Sequence, residues 1–162
     1  MSTYRVTATR RVGAPARVAY DIIADYRDGH PQIIPPPWFQ NICIDSGGVG
    51  RGTKFRFDIH AYGSKRTLRA EVDEPMPGRT LAESYPDEGT VTTFSVEPTA
   101  DDRACDVTIT SDVRDRGGIA GAIERAVMSR FLRKVFIAEL ARLDAVARAR
   151  VASTQSSGPA AA

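Results

Sequence analysis

Glu139 is the residue of this 162-residue chain that is hardest to reconcile with ordinary packing. At roughly 100° per residue, Met128, Leu132, Val135, Phe136, Leu140, Leu143, Val146 and Ala147 fall on one broad helical face, and Glu139 projects near its middle. An ionised carboxylate on a buried face is costly unless it is paired or hydrated. A partly hydrated cavity or an inward arginine would accommodate it. The competing reading is a slight rotation of the helix that lets Glu139 reach solvent or pair with Arg142 at i+3.

Other residues could work with it. Arg10 shares the apolar parity of an alternating segment, either as a cationic anchor for a ligand oxygen or as a strand-end residue that snorkels outward. His30 stands between Gly29 and Pro31 and is an acid/base candidate, or a loop histidine bonded to backbone. Tyr85, Glu83 and Leu81 share parity; if that face is inward, Tyr85 and Glu83 line a cavity with Thr92, Phe94 and Ser111. Trp38, Phe39, Phe55 and Phe57 would form a pocket wall or plain core. His60 takes the polar parity of its segment and is discounted. Two histidines without acidic ligand spacing, and two distant cysteines (Cys43 and Cys105), predict neither a metal site nor a disulfide framework. The G-x-G spacing at 47–52 is not followed by a helix, so a phosphate-binding loop is not implied. No nucleophile elbow is present.

The elements that must position these residues follow from periodicity. Residues 4–12 alternate as a strand. Pro15 opens an amphipathic helix over about 15–27. The proline-rich stretch 28–39 forms a cap over an opening or onto the core, with room for one helical turn at Gln32–Ile34. Six more strands are predicted at 38–45, 53–60, 66–74, 79–85, 90–97 and 104–113. The turns between them are short, which makes the six an antiparallel meander with one face to water. Gly118 to about Arg150 contains no Pro and, after Gly121, no Gly; it reads as one helix about 45 Å long. Arg130, Arg133, Lys134, Asp144 and Arg148 are assigned to its polar face. Residues 1–150 read as one domain and 151–162 as a disordered tail.

Composition is that of an ordinary globular chain, 42% hydrophobic and 26% charged, with a net charge of +2. Residues 114–150 carry nine basic and four acidic side chains, a local net of +5. The plain reading is the solvated back of the helix; the sharper one is a weak footprint for an anionic partner. No signal core or membrane-spanning run is seen, and a cytoplasmic location is expected.

The order strand, helix, cap, six-strand meander, long helix resembles the helix-grip fold of the START-like, or SRPBCC, superfamily. The segment Val6-Thr7-Ala8-Thr9-Arg10-Arg11-Val12-Gly13-Ala14-Pro15, followed by Val18-Ala19-Tyr20-Asp21-Ile22-Ile23-Ala24-Asp25, looks like that family's opening. Asp25-Tyr26 through His30-Pro31 looks like its helix-to-cap segment, and Gly48-Val49-Gly50-Arg51-Gly52-Thr53 like its hairpin between the second and third strands. The resemblance implies an α+β fold with a seven-stranded curved antiparallel sheet around the long helix. It also implies a small apolar molecule held between them, as in polyketide cyclase/dehydrase-like members. No family catalytic residue maps onto this chain. The expected function is binding of a hydrophobic, aromatic or lipid-like molecule, with Arg10, His30, Trp38, Phe57, Tyr85, Phe94, Ser111 and Glu139 as ligand contacts. An enzyme using Glu139, His30, Tyr85 or Arg10 is the first alternative. A protein or RNA interaction module using the basic helix is the second. No cofactor, DNA or membrane span is expected, and the chain is expected to be a monomer or homodimer.

Overall fold

The computed structural model describes residues 2–156. Strand β1 (Thr3–Val12) is followed by helices α1 (Ala16–Ala24) and α2 (His30–Ile33). Then come β2 (Phe39–Ser46), β3 (Lys54–Ala61), β4 (Ser64–Met76), β5 (Thr80–Tyr85), β6 (Thr90–Pro98) and β7 (Cys105–Arg114), and finally α3 (Gly118–Ser156). The strands form one antiparallel sheet in the order β1-β7-β6-β5-β4-β3-β2. Each meander strand therefore pairs with its sequence neighbour, and β1 closes on the last of them, Val6 opposite Ser111 and Val12 opposite Cys105. Alternation explains the two faces. In β7, Cys105, Val107, Ile109 and Ser111 are buried, while Asp106 and Asp112 take ion pairs with Arg11 and Arg5 of β1 on the outer face.

The buried face carries Val6, Val72, Leu81, Phe94, Val96, Val107 and Ile109. Against it pack Ala19, Ile22 and Ile23 of α1 and Val135, Phe136, Leu140, Leu143 and Ala147 of α3. Helix α1 ends at Ala24, earlier than periodicity suggests. Asp25 turns to an extended conformation, φ −90° and ψ 91°, and its carboxylate accepts the N–H groups of Arg27 and Asp28. This side-chain turn competes with further helix. Helix α2 starts two residues before the predicted turn, because Pro31 occupies its first turn, where a missing N–H costs nothing.

Helix α3 continues past Arg150 to Ser156, so residues 151–156 are helical rather than part of a disordered tail. Neither Gly nor Pro occurs between Gly121 and Gly158, and the Ser153 and Thr154 hydroxyls donate to the Arg150 carbonyl. The remainder of the predicted tail, 157–162, lies outside the described residues. Asp144 departs from its assignment to the polar face. It is buried and accepts the Gly13 N–H at 2.9 Å and Arg148 Nε at 2.8 Å, which ties α3 to the turn after β1.

Candidate ligand cavity and its buried carboxylates

Between the sheet and α3 lies a cavity of about 250 Å³. Its walls are largely apolar, with Phe39, Phe55, Phe57, Leu68 and Phe94 from the sheet side and Met128, Leu132 and Phe136 from α3. The inner end is polar. Strand pairing places Glu83 opposite Thr92 and Thr92 opposite Ser111, so one register row across β5, β6 and β7 delivers three polar side chains. Val72 and Val6 flank that row on the neighbouring strands. Thr92 Oγ1 and Ser111 Oγ satisfy each other at 2.5 Å.

Glu83 is almost fully buried and accepts two phenols, Tyr26 Oη at 2.6 Å and Tyr85 Oη at 2.5 Å. Burial, reinforced by the Glu83 charge, holds both phenols well above the ordinary tyrosine range. They therefore remain protonated donors. Tyr26 was unforeseen as a site residue: its helical spacing with Ile22 and Ile23 reads as core, and it is in fact fully buried.

His30 stands above this pair. Its Nδ1 lies 2.7 Å from the Ile23 carbonyl, one of the unsatisfied C=O groups at the end of α1. A carbonyl only accepts, so Nδ1 carries the proton and Nε2 faces the carboxyls. The imidazole stacks on Tyr26 with centroids 4.5 Å apart and planes 13° apart, and it meets the Phe94 edge. Its Nε2 is 3.7 Å from Glu83 Oε1 and 3.9 Å from Glu139 Oε1.

Glu139 comes from α3 and is 4% exposed. The helix has not rotated to release it, and Arg142 instead donates to the Gln32 carbonyl. Burial first, and the Glu83 charge second, raise the Glu139 carboxyl well above the ordinary glutamate range. Burial beside a second carboxyl therefore favours its protonated form. Unlike the Glu83 oxygens it has no hydrogen-bond partner among the described residues; His30 Nε2 lies 3.9 Å from its Oε1.

The structure brings His30, Phe57, Tyr85, Phe94, Ser111 and Glu139 to one cavity. Two of the expected contacts lie elsewhere. Arg10 is outside the lining; its side chain is 45% exposed and reaches Asp144 at 3.5 Å. The acid on α3 that draws it there is the one misassigned to the helix's polar face. Trp38 is also outside the lining, with its edge toward Phe131 and Lys134 Nζ 5.1 Å above its ring. His60 does not line the cavity either. Cys43 and Cys105 are both free. Among the described residues no group of three or more His, Cys, Asp or Glu could hold a metal ion, and no helix is long and apolar enough to cross a membrane.

Charged side chains surround the opening, most of them in pairs: Arg66 with Glu88, Arg125 with Asp115 and Arg116 with Glu124. The outer parts of the cavity therefore present ions to solvent, while the inner end presents the Glu139 carboxyl, an imidazole nitrogen and a hydroxyl pair.

The family model described as polyketide cyclase / dehydrase and lipid transport matches residues 3–148. Among solved structures, the KanY protein superposes with a TM-score of 0.79 at 21% identity, covering 91% of this chain and 99% of that one. The Zhui aromatase/cyclase from Streptomyces sp. R1128 gives 0.74 at 20% identity over 92% and 96%. A START superfamily protein from Mycobacterium smegmatis gives 0.69 at 18% over 88% and 98%. At these identities the likeness establishes a shared helix-grip fold. No curated protein sequence matches the chain.

Proposed function

This chain belongs to the polyketide cyclase / dehydrase and lipid transport family, and from that premise we propose that it binds a small, mainly apolar molecule carrying a carbonyl or hydroxyl oxygen. The apolar body lies against Phe57, Phe94 and the α3 side chains. The oxygen lies at the inner end, where Glu139 donates to it, within reach of His30 and the Ser111 pair. The observation that carries this reading is Glu139 itself. A buried neutral acid with no internal acceptor is costly, and a ligand oxygen supplies the missing acceptor. The walls supply most of the affinity and the few polar groups fix orientation.

The test compares two probes of one bicyclic frame, α-tetralone with a ketone and tetralin without it, by calorimetry. One hydrogen bond of ordinary strength predicts that the ketone binds about fivefold to tenfold more tightly. The preference should vanish in Glu139→Leu. Equal affinities in the wild type would overturn the reading. Native mass spectrometry of protein purified from its own host then identifies the natural ligand.

A second reading, proton-transfer catalysis, is favoured by the 3.9 Å between His30 Nε2 and Glu139 Oε1. In a β-hydroxy ketone, His30 Nε2 would take the α-proton as the C–O bond breaks. Glu139 would give its proton to the departing hydroxyl, which leaves as water, and a double bond forms. The imidazolium then returns its proton to the Glu139 carboxylate. Both groups would serve without net change, as general acid–base catalysis requires. Appearance of the enone from a β-hydroxy ketone probe, slowed about a hundredfold or more in Glu139→Gln, supports catalysis. Binding without conversion leaves a carrier.

A further inference from the structure

Helix α3 buries little of its first third. Between Gly118 and Arg130 only Gly121 is buried. Ile119 is 85% exposed, Ile123 63% and Val127 42%. These spacings of four place the three on one outward ridge, with Arg130, Lys134 and exposed Ile137 continuing within the same arc of about 80°. Beside the ridge stands Tyr62, 67% exposed at the β3–β4 tip, its hydroxyl donating to the Val127 carbonyl at 3.1 Å. Arg130 and Arg133 have no ion-pair partner among the described residues. The opposite side of the same helical turns supplies Glu124, Arg125 and Met128 to the cavity lining. An apolar ridge bordered by unpaired cations thus runs along the face of these turns that points away from the cavity.

We infer that this ridge docks the protein on an anionic lipid surface. Ile119, Ile123, Val127 and the Tyr62 ring enter the headgroup–acyl boundary, and Arg130, Arg133 and Lys134 face the lipid phosphates. Charge complementarity selects this occupant. A second copy of the chain fits poorly: it would bring the same unpaired Arg130 and Arg133, and the one acid of residues 118–138, Glu124, is already paired with Arg116. An acidic protein would answer the cations but would need its own groove to receive the convex row of isoleucines. A bilayer boundary takes such a row without one, and basic residues beside the apolar face are the pattern of helices that lie in that boundary. The inference is independent of the ligand assigned to the cavity.

The experiment is co-sedimentation of the whole chain with vesicles of phosphatidylcholine alone or mixed with phosphatidylglycerol. The wild type is expected to bind the mixed vesicles, far less the neutral ones, and to be released by salt. Ile119→Ser with Ile123→Ser alters only exposed side chains and should weaken binding by about tenfold or more. Arg130→Gln with Arg133→Gln should weaken it roughly thirtyfold, at about 1 kcal/mol for each cation. This pair keeps the test decisive even if the serine variant misfolds. Equal binding to neutral and anionic vesicles, or no binding to either, overturns the inference. So does a concentration-dependent dimer in sedimentation that the serine pair abolishes, which would give the ridge to a second copy.

Discussion

Replacing Glu139 by Gln should make the protein more stable as the pH rises, the reverse of what loss of a charged residue ordinarily does. In the unfolded chain the carboxyl titrates near its ordinary value of 4.5; in the folded chain burial, and then Glu83, hold it well above. Below the unfolded value both states carry the proton and the group does not distinguish them. Above it the folded state holds one proton more than the unfolded state. Stability therefore falls with pH, by at most about 1.4 kcal/mol per pH unit for one proton, until the folded value is reached. Gln keeps the shape of the neutral acid and cannot titrate, so this slope disappears. The assay is equilibrium urea denaturation of wild type and Glu139→Gln at a series of pH values from about 4.5 to 8. The stability difference should be small at the acid end and grow in favour of the variant as pH rises. A difference that stays constant with pH, or one that turns against the variant above neutrality, would refute the claim that Glu139 is buried as a neutral acid.

Other consequences follow from the same geometry. Tyr26→Phe and Tyr85→Phe each remove one donor from buried Glu83 and should each cost about 1.5–3 kcal/mol by denaturation. Gly29→Ala would put a Cβ 2.6 Å from the Ile22 carbonyl oxygen. The turn that delivers His30 must then shift, and a lower melting temperature with weaker α-tetralone binding is expected. Asp144 is pushed up by burial, but the Gly13 N–H and Arg148 outweigh this and hold its carboxyl below the ordinary value of 3.8. Its stabilisation is thus present above that value and is lost as pH falls through it. Asp144→Asn should be less stable than wild type at neutral pH, by about 1–2 kcal/mol, with the gap closing in acid.

The fold was legible because most strands of the meander alternate on their buried face, with Asp58 beside Phe57 as an exception. Phe55 and Phe57, Val107 and Ile109 leave no choice of register once one side must be covered. The same parity put Glu83, Thr92 and Ser111 on the inner face, and helical spacing singled out Glu139. Periodicity reports direction, however, and not what lies opposite. It could not show that Tyr26 and Tyr85 converge on one carboxylate, since that contact joins residues far apart in sequence. It failed for Arg10, whose parity is inward but whose partner, Asp144, sits at the end of α3 that covers β1. It failed for Asp144 itself because a helical wheel ranks an acid as polar surface, whereas donors from β1 (Arg10), the turn after it (Gly13) and α3 (Arg148) offset the cost of burial. Trp38 shows the same limit: an aromatic in the cap must be buried somewhere, and the surface it found was Phe131 rather than the cavity.

Infrared spectroscopy of the carboxyl C=O stretch at neutral pH reaches the central claim most directly. The wild type should show a protonated carboxylic acid band that is missing in Glu139→Gln, and addition of α-tetralone should shift it as the acid hydrogen-bonds the ketone. No Glu139-dependent band, or a band unmoved by the bound ketone, would contradict the account.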